Sequence, residues 1–202
     1  MHFTTPLILL GATLAVAAPH GDYKKEEYKK GCKKDWDNKW ENDAWEKDEK
    51  LFYFDKEFIV KATPNTIIAN NGTAVPGQPG ARGIFKYGIN IPENTICYNI
   101  TLSGVTGNYS SPAITATHIH EAAVGKAGPP RLAFPNPTGP DERRTSYGCL
   151  KGPFITGLIN NATGLDQGAG FHVRQIVANP AGFFTDTHTV AFSAGAVRGQ
   201  LA

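Results

Sequence analysis

Three observations predict an all-β domain over residues 58–202 of this 202-residue chain. Short runs alternate apolar and polar side chains, which is the period of a strand with one buried face. Glycine, proline and asparagine cluster between these runs, where turns need their backbone angles. The segment also carries little charge, with six acidic and ten basic residues against 12 and ten in residues 22–57. Its size fits a single domain.

The elements follow from these patterns in order. The alternation predicts strands at 52–62, 82–90, 95–104, 113–120, 130–134, 153–159, 182–190 and 194–201. One short helix is predicted at Phe171–Ala178, ending before Asn179-Pro180, because the residue that precedes proline avoids helical backbone angles. Most of the glycine- and proline-rich segment 124–148 is interpreted as a loop that ends at Cys149.

Residues 1–18 are interpreted as a secretory signal peptide. The apolar run Pro6–Val16 leads into the small residues Ala17 and Ala18. This run is shorter than the roughly 20 apolar residues that a spanning helix needs. We therefore expect a secreted protein with no membrane segment after cleavage. Four glycosylation sequons agree with export, although each is a weak signal alone. They are Asn71, Asn99, Asn108 and Asn161.

Residues 19–57 are interpreted as a charged extension or propeptide. Apolar residues are too few there for a core, which predicts a disordered or loosely helical segment. Lysine pairs at 24–25, 29–30 and 33–34 suit a processing protease, but a solvated segment without a function of its own fits equally well. The charges nearly balance, so neither nucleic acid nor a membrane is an expected partner.

The chain has three cysteines. An oxidising compartment favours disulfides, and both Cys97 and Cys149 lie in the folded part, so we expect these two to pair. The closed loop of about 50 residues would contribute roughly 4 kcal/mol on the chain-entropy model. Cys32, in the extension, would then be free, bonded to another chain or removed by processing.

Four of the six histidines lie in the last 90 or so residues, and two of them form the step His118-Ile119-His120. On a strand these two side chains share one face, about 6–7 Å apart. Imidazoles so placed can share one ion, and zinc and copper are the metals that suit them. The alternative is that both rings make structural hydrogen bonds to neighbouring backbone.

The same stretch also carries a family resemblance. Asn-Pro-Ala-Gly-Phe-Phe at 179–184 leads into Thr-His-Thr at 187–189, and Arg-Gly-Gln-Leu stands at 198–201. Together with the His-Ile-His step, these motifs resemble the CHRD domain, the module named after the repeats in chordin. Secreted single-domain fungal members also show Ala-Gly-Pro-Pro-Arg and Phe-Pro-Asn-Pro, here at 127–131 and 134–137. The resemblance covers about residues 58–202. It implies a secreted Greek-key β-sandwich, immunoglobulin-like or superoxide-dismutase-like, without a defined activity.

The dismutase comparison suggests a ligand set. Copper-zinc superoxide dismutases also place a His-x-His pair on one strand and add a late histidine. The comparison makes His118, His120 and His188 candidate copper ligands, and His172 a fourth if the short helix packs over that strand. Between His120 and His188, however, His172 is the only histidine. The zinc-bridging histidines are therefore missing, and substantial dismutase activity is not expected.

Two carboxylates stand beside the candidate ligands. Glu121 directly follows the His-x-His step, and Asp186 has the strand parity of His188. Both are candidates to orient the imidazoles by hydrogen bonding.

Three functions stay open. The first is an extracellular module that binds copper or zinc through the histidine cluster. The second is an adhesion module for an unidentified extracellular or cell-wall partner, with structural histidines and a binding surface on segment 124–148. The third is a copper-dependent, dismutase-like enzyme. Hydrolase and nucleotide-binding motifs are missing, since the chain has neither a Gly-x-Ser-x-Gly elbow nor a phosphate-cradling loop. We therefore favour a protein that is not an enzyme.

Overall fold

The computed structural model describes residues 53–202. The signal peptide predicted at 1–18, Cys32 and most of the charged extension at 19–57 lie outside the described residues. Within them, no helix is long and apolar enough to cross a membrane.

Two four-stranded antiparallel sheets form the predicted β-sandwich. The first sheet has the order β1 (Lys56–Ala62), β2 (Arg82–Asn90), β3 (Thr95–Ser103) and β6 (Arg144–Lys151). The second has the order β5 (Pro130–Phe134), β4 (Thr117–Glu121), β7 (Phe183–Thr187) and β8 (Val197–Gln200). The chain crosses between sheets, so that β3 lies beside β6 and β4 beside β7, as Greek-key connectivity requires.

Alternating apolar side chains from both sheets fill the core. On β3 every second residue is buried, and on β2 the same period buries Phe85, Tyr87 and Ile89. The second sheet contributes Ile119, Leu132, Phe134, Phe183 and Val197. Burying a side chain of this size is worth about 1.5–3 kcal/mol. On β2 and β3, the alternation seen in the sequence therefore fixes which face of the strand turns inward.

The predicted disulfide is confirmed. Cys97 and Cys149 are direct partners in the pairing of β3 with β6, and their sulfurs are bonded. The bond therefore links two neighbouring strands of the first sheet.

Segment 124–159 contains one predicted strand that is wrong and one strand that was not predicted. No strand runs over 153–159, because the backbone N–H groups of Thr156 and Gly157 donate to the carboxylate of Asp166 instead of to a neighbouring strand. Conversely, β6 begins inside the segment that was interpreted as mostly loop. Its inward residues Arg144 and Ser146 are polar, so it lacks the apolar alternation that reveals a strand.

The predicted helix is shorter than expected. α1 spans Arg174–Ala178 and buries Ile176. Phe171 and Val173, which precede it, are buried in irregular backbone. All four sequon asparagines are exposed. Glycosylation of these residues stays a prediction.

Candidate metal centre

The candidate site lies on the outer face of the second sheet, opposite the core. In β4, Ile119 points into the core, so His118 and His120 point outward. Across the strand pair, His118 lies opposite Asp186 and His120 opposite Phe184. The pairing of β4 with β5 shifts register between Ile119 and His120. Such a bulge re-aims the side chains beside it.

His188 joins this group from the end of β7. Its backbone N–H donates to the carbonyl of Ala116 at 2.8 Å, which keeps the chain beside β4. The ring centroid of His188 lies 5.3 Å from that of His118 and 6.0 Å from that of His120. The fold therefore brings together three histidines that are up to 70 residues apart in the chain.

Asp186 lies among the three imidazoles. Its Oδ1 is 3.2 Å from Nε2 of His120 and 3.6 Å from Nδ1 of His118. Its Oδ2 is 3.2 Å from Nε2 of His188. One donor atom from each of the four residues lies within 4.8 Å of all the others. We call these four residues the His/Asp cluster.

Each imidazole is anchored by its other ring nitrogen. The three hydrogen bonds to backbone carbonyls are His118 Nε2 to Thr115 at 2.7 Å, His120 Nδ1 to Gly128 at 2.8 Å and His188 Nδ1 to Ser193 at 2.9 Å. A carbonyl only accepts, so the proton of each neutral ring sits on the anchoring nitrogen. The inward nitrogens then carry lone pairs. Metal-bound histidines are held in the same way.

The inward atoms are otherwise unsatisfied. Nδ1 of His118, Nε2 of His120 and Oδ1 of Asp186 are buried without a hydrogen-bond partner. Buried polar atoms rarely stay unpaired. Here the inward nitrogens of neutral imidazoles and the carboxylate oxygen of Asp186 are all acceptors, so they cannot pair with one another. A proton on His188 would satisfy Oδ2 of Asp186 but would leave the other two nitrogens unpaired. One cation among the four residues would satisfy all of them.

The electrostatics of the cluster favour an ionised Asp186, a neutral His118 and the charged form of His188. Burial raises the pKa of Asp186, but His120 and His188 outweigh it and leave this pKa well below its usual value. Burial lowers the pKa of His118. Burial also lowers the pKa of His188, but the charge of Asp186 outweighs it and leaves this pKa above its usual value.

A stack of side chains supports His120. Its ring lies parallel to that of Phe184, with centroids 4.7 Å apart and an interplanar angle of 3°. The guanidinium of Arg198, from β8, lies 3.3 Å from the centroid of Phe184. Arg198 also donates through Nη2 to the carbonyl of Lys126 at 2.5 Å. Gln200 donates to the carbonyl of Ala122 at 3.0 Å. Strand β8 thus holds the loop over residues 122–129.

That loop needs a glycine at position 128. A Cβ added to Gly128 would lie 2.0 Å from the carbonyl oxygen of Glu121. The same Gly128 supplies the carbonyl that accepts from His120. The tight approach of this backbone to β4 therefore fixes the orientation of one imidazole.

Core hydrogen bonds also support β4. The hydroxyl of Thr185 donates to the carbonyl of His118 at 2.8 Å, and the hydroxyl of Tyr87 lies 2.7 Å from that of Thr185. Since the Thr185 proton is used, Tyr87 donates. Burial raises the pKa of Tyr87, which keeps the phenol protonated. The first sheet thus contacts the backbone of the site through the core.

A cavity of about 540 Å³ opens onto the cluster. The three histidines line it, and Asp186 does not. Its walls contain apolar residues and uncharged polar residues, without a lysine, arginine or carboxylate from the described part of the chain. They include Pro129, Pro130, Leu158, Asn70, Ser111 and Gln167.

The structure does not bring two of the candidate residues to the cluster. His172 precedes α1, where its Nδ1 accepts from the backbone N–H of Arg174 at 3.2 Å. Glu121 forms an ion pair with Arg131 at 2.7 Å instead of orienting an imidazole. Asp186 contacts all three imidazoles, which is more than the orienting role that the sequence suggested. In the sequence, the feature that pointed to a place for Asp186 near the imidazoles was its strand parity with His188.

The fold and the cluster together define a small all-β module with a loop-covered group of three histidines and one aspartate. A family model of the CHRD domain matches residues 66–201, and the chain belongs to this family. No curated protein and no solved structure matches the chain.

Proposed function

We propose that this protein is a secreted CHRD module that binds one copper or zinc ion through the His/Asp cluster. The observation that carries the proposal is the arrangement of three inward-facing ring nitrogens around one buried carboxylate. Each outward ring nitrogen already donates to a backbone carbonyl, so rotating a ring to give its inward nitrogen a partner would break that hydrogen bond. Export is supported by the apolar leader, the exposed sequons and the disulfide.

The donor set fits these ions. Imidazole suits zinc and copper, and a carboxylate oxygen is an accepted fourth ligand for zinc. With bonds of about 2.0–2.1 Å, neighbouring donors of a tetrahedral site lie roughly 3.3 Å apart. Oδ1 of Asp186 lies 3.2 and 3.6 Å from the inward nitrogens of His120 and His118, close to that value, and one donor atom from each of the four residues lies within 4.8 Å of the others. When bound, the ion would supply Lewis acidity, and copper would also supply a redox couple.

Metal analysis of an untagged protein tests the proposal. The full chain is secreted from a eukaryotic host, purified without chelator and analysed for metal by mass spectrometry. We expect about one copper or zinc per chain, and loss of it in His120→Ala. The matched control is His172→Ala, which removes an imidazole outside the cluster and should keep the metal.

Thermal unfolding shows whether a variant that lacks metal is still folded. If the ion binds the native state alone, saturation at 100 times the dissociation constant adds about 2.7 kcal/mol to the free energy of unfolding. Wild type and His172→Ala should gain stability from added zinc, whereas His120→Ala should not. If the wild type neither contains metal nor gains stability from zinc or copper, the histidines are structural and the proposal is wrong.

A further inference from the structure

The His/Asp cluster is open on one side only. The side chains of His120 and His188 are 11 and 12% exposed, against 4% for Asp186. The cavity touches the imidazoles and not the carboxylate. Asp186 therefore lies on the protein side of the cluster, and the cavity lies opposite.

An ion held by the cluster would be covered by Asp186 beneath and would face the cavity above. Four protein ligands fill a tetrahedral site, but zinc can also take a fifth ligand in sites that act on a bound molecule. We propose, on the basis of the proposed function, that the ion keeps one exchangeable position. Through the cavity, this position takes a small uncharged molecule that carries a nitrogen or oxygen donor and an N–H or O–H group.

The size and the walls of the cavity support this class of ligand. Its volume of about 540 Å³ lies in the range of small-molecule sites. Pro129, Pro130 and Leu158 offer apolar contact. Arg198, which lies over the ring of Phe184, is 3% exposed and does not line the cavity. No lysine or arginine of the described residues therefore lines the cavity to draw an anion into it.

Gln167 supplies the hydrogen-bond acceptor. It lines the cavity, and its side-chain oxygen is buried without a partner. Its backbone carbonyl accepts from Arg131 at 2.6 Å, which fixes the chain at this residue. A rotation of this side chain toward the cavity would let a ligand N–H or O–H group satisfy the free oxygen. This requirement would discriminate against molecules that lack a donor.

The probes are imidazole and 1-methylimidazole, which share the metal-binding nitrogen and differ in the N–H group. Cobalt(II) is loaded into the full-length protein, and its visible absorption is followed during titration. We expect saturable spectral changes, with imidazole binding about three- to tenfold more tightly than 1-methylimidazole. In Gln167→Leu this ratio should fall to the value set by the probes alone, with cobalt content unchanged.

The outcomes separate the two proposals. Failure to bind cobalt, zinc or copper overturns the proposed function, and this inference falls with it. Stoichiometric cobalt with a spectrum that none of the probes changes shows a closed structural site and overturns this inference alone. Azide, tested in parallel, should not bind more than tenfold more tightly than imidazole. A stronger preference for azide would overturn the uncharged class of ligand. A ratio unchanged by Gln167→Leu would overturn the role of that residue.

Discussion

The outer faces of the two sheets differ in what they expose. On the first sheet, Ile59, Ile84 and Tyr147 are 69, 44 and 78% exposed. On the second, His118 and Asp186 are 1 and 3% exposed. The same sandwich thus leaves apolar side chains in water on one side and buries ionisable groups on the other. Because buried polar groups cost free energy unless they are satisfied, the second face is where a function is expected.

Loops account for the difference. Three segments around residues 115, 128 and 193 cover the second face, and each supplies one carbonyl to one histidine. The first sheet is instead fastened within itself by the disulfide between β3 and β6. We infer that the first sheet serves stability, while the second face serves ligand binding. Three changes test this division, in decreasing order of expected effect.

The largest effect is expected from the first sheet. Replacing both Cys97 and Cys149 by serine opens a loop with a sequence separation of 52 residues. On the chain-entropy model this lowers the free energy of unfolding by about 4 kcal/mol. Metal affinity of the remaining folded protein should stay the same. Denaturant unfolding and calorimetric metal titration measure the two quantities. A large loss of affinity would break the division between the sheets.

A smaller effect is expected from Arg198 on the second sheet. Arg198→Met removes the donor to Lys126 and the contact with Phe184, and so loosens the loop that orients His120. Metal affinity should fall about tenfold, as is typical when groups that orient a ligand are lost. The matched control is Arg82→Met, an exposed arginine on β2 that should leave affinity unchanged. Equal losses of metal affinity in both variants would show that removing a positive charge lowers affinity and that Arg198 does not act by orienting His120.

The smallest effect is expected at low pH, from protonation of Asp166. The Asp166 carboxylate accepts from the backbone of Thr156, Gly157 and Gly168 and from the hydroxyl of Thr156. Burial raises its pKa, but these hydrogen bonds outweigh burial and hold the pKa below the usual 3.8. A depressed pKa means that this stabilisation is present above about pH 4 and is lost as pH falls through the folded-state value.

Limited pepsin digestion measures that loss. The segment 156–168 carries Leu158 and Gln167 of the cavity wall, and it should be cleaved faster at pH 2.5 than at pH 4 relative to the other cleavage sites. In Asp166→Asn the segment should be cleaved readily at both values. Protection that is the same in the variant and the wild type would show that the carboxylate does not hold this loop.

Part of the fold followed from local patterns. Strands β2, β3 and β5 have clean alternation or a compact apolar run, and their predicted bounds agree with the structure to within a residue. Strand β6 was not predicted because its inward residues are polar. The strand predicted over the apolar run at 153–159 does not form, because the carboxylate of Asp166 accepts hydrogen bonds from its backbone N–H groups. The hydrophobic period of a sequence indicates which side chains are buried. It therefore fails to predict a strand where polar side chains or side-chain hydrogen bonds decide the backbone conformation.

By itself, the sequence determined the all-β class, the disulfide and the common face of His118 and His120, because each depends on local period or on the presence of two cysteines in one domain. The sandwich was implied by the resemblance to the CHRD domain. The tertiary structure decided the rest of the site. Asp186 meets the imidazoles through strand pairing between β4 and β7, and the anchoring carbonyls of Thr115, Gly128 and Ser193 come from separate loops. Backbone carbonyls look alike at every position in a sequence, so only the packing of the loops over the sheet can show which of them bind a histidine.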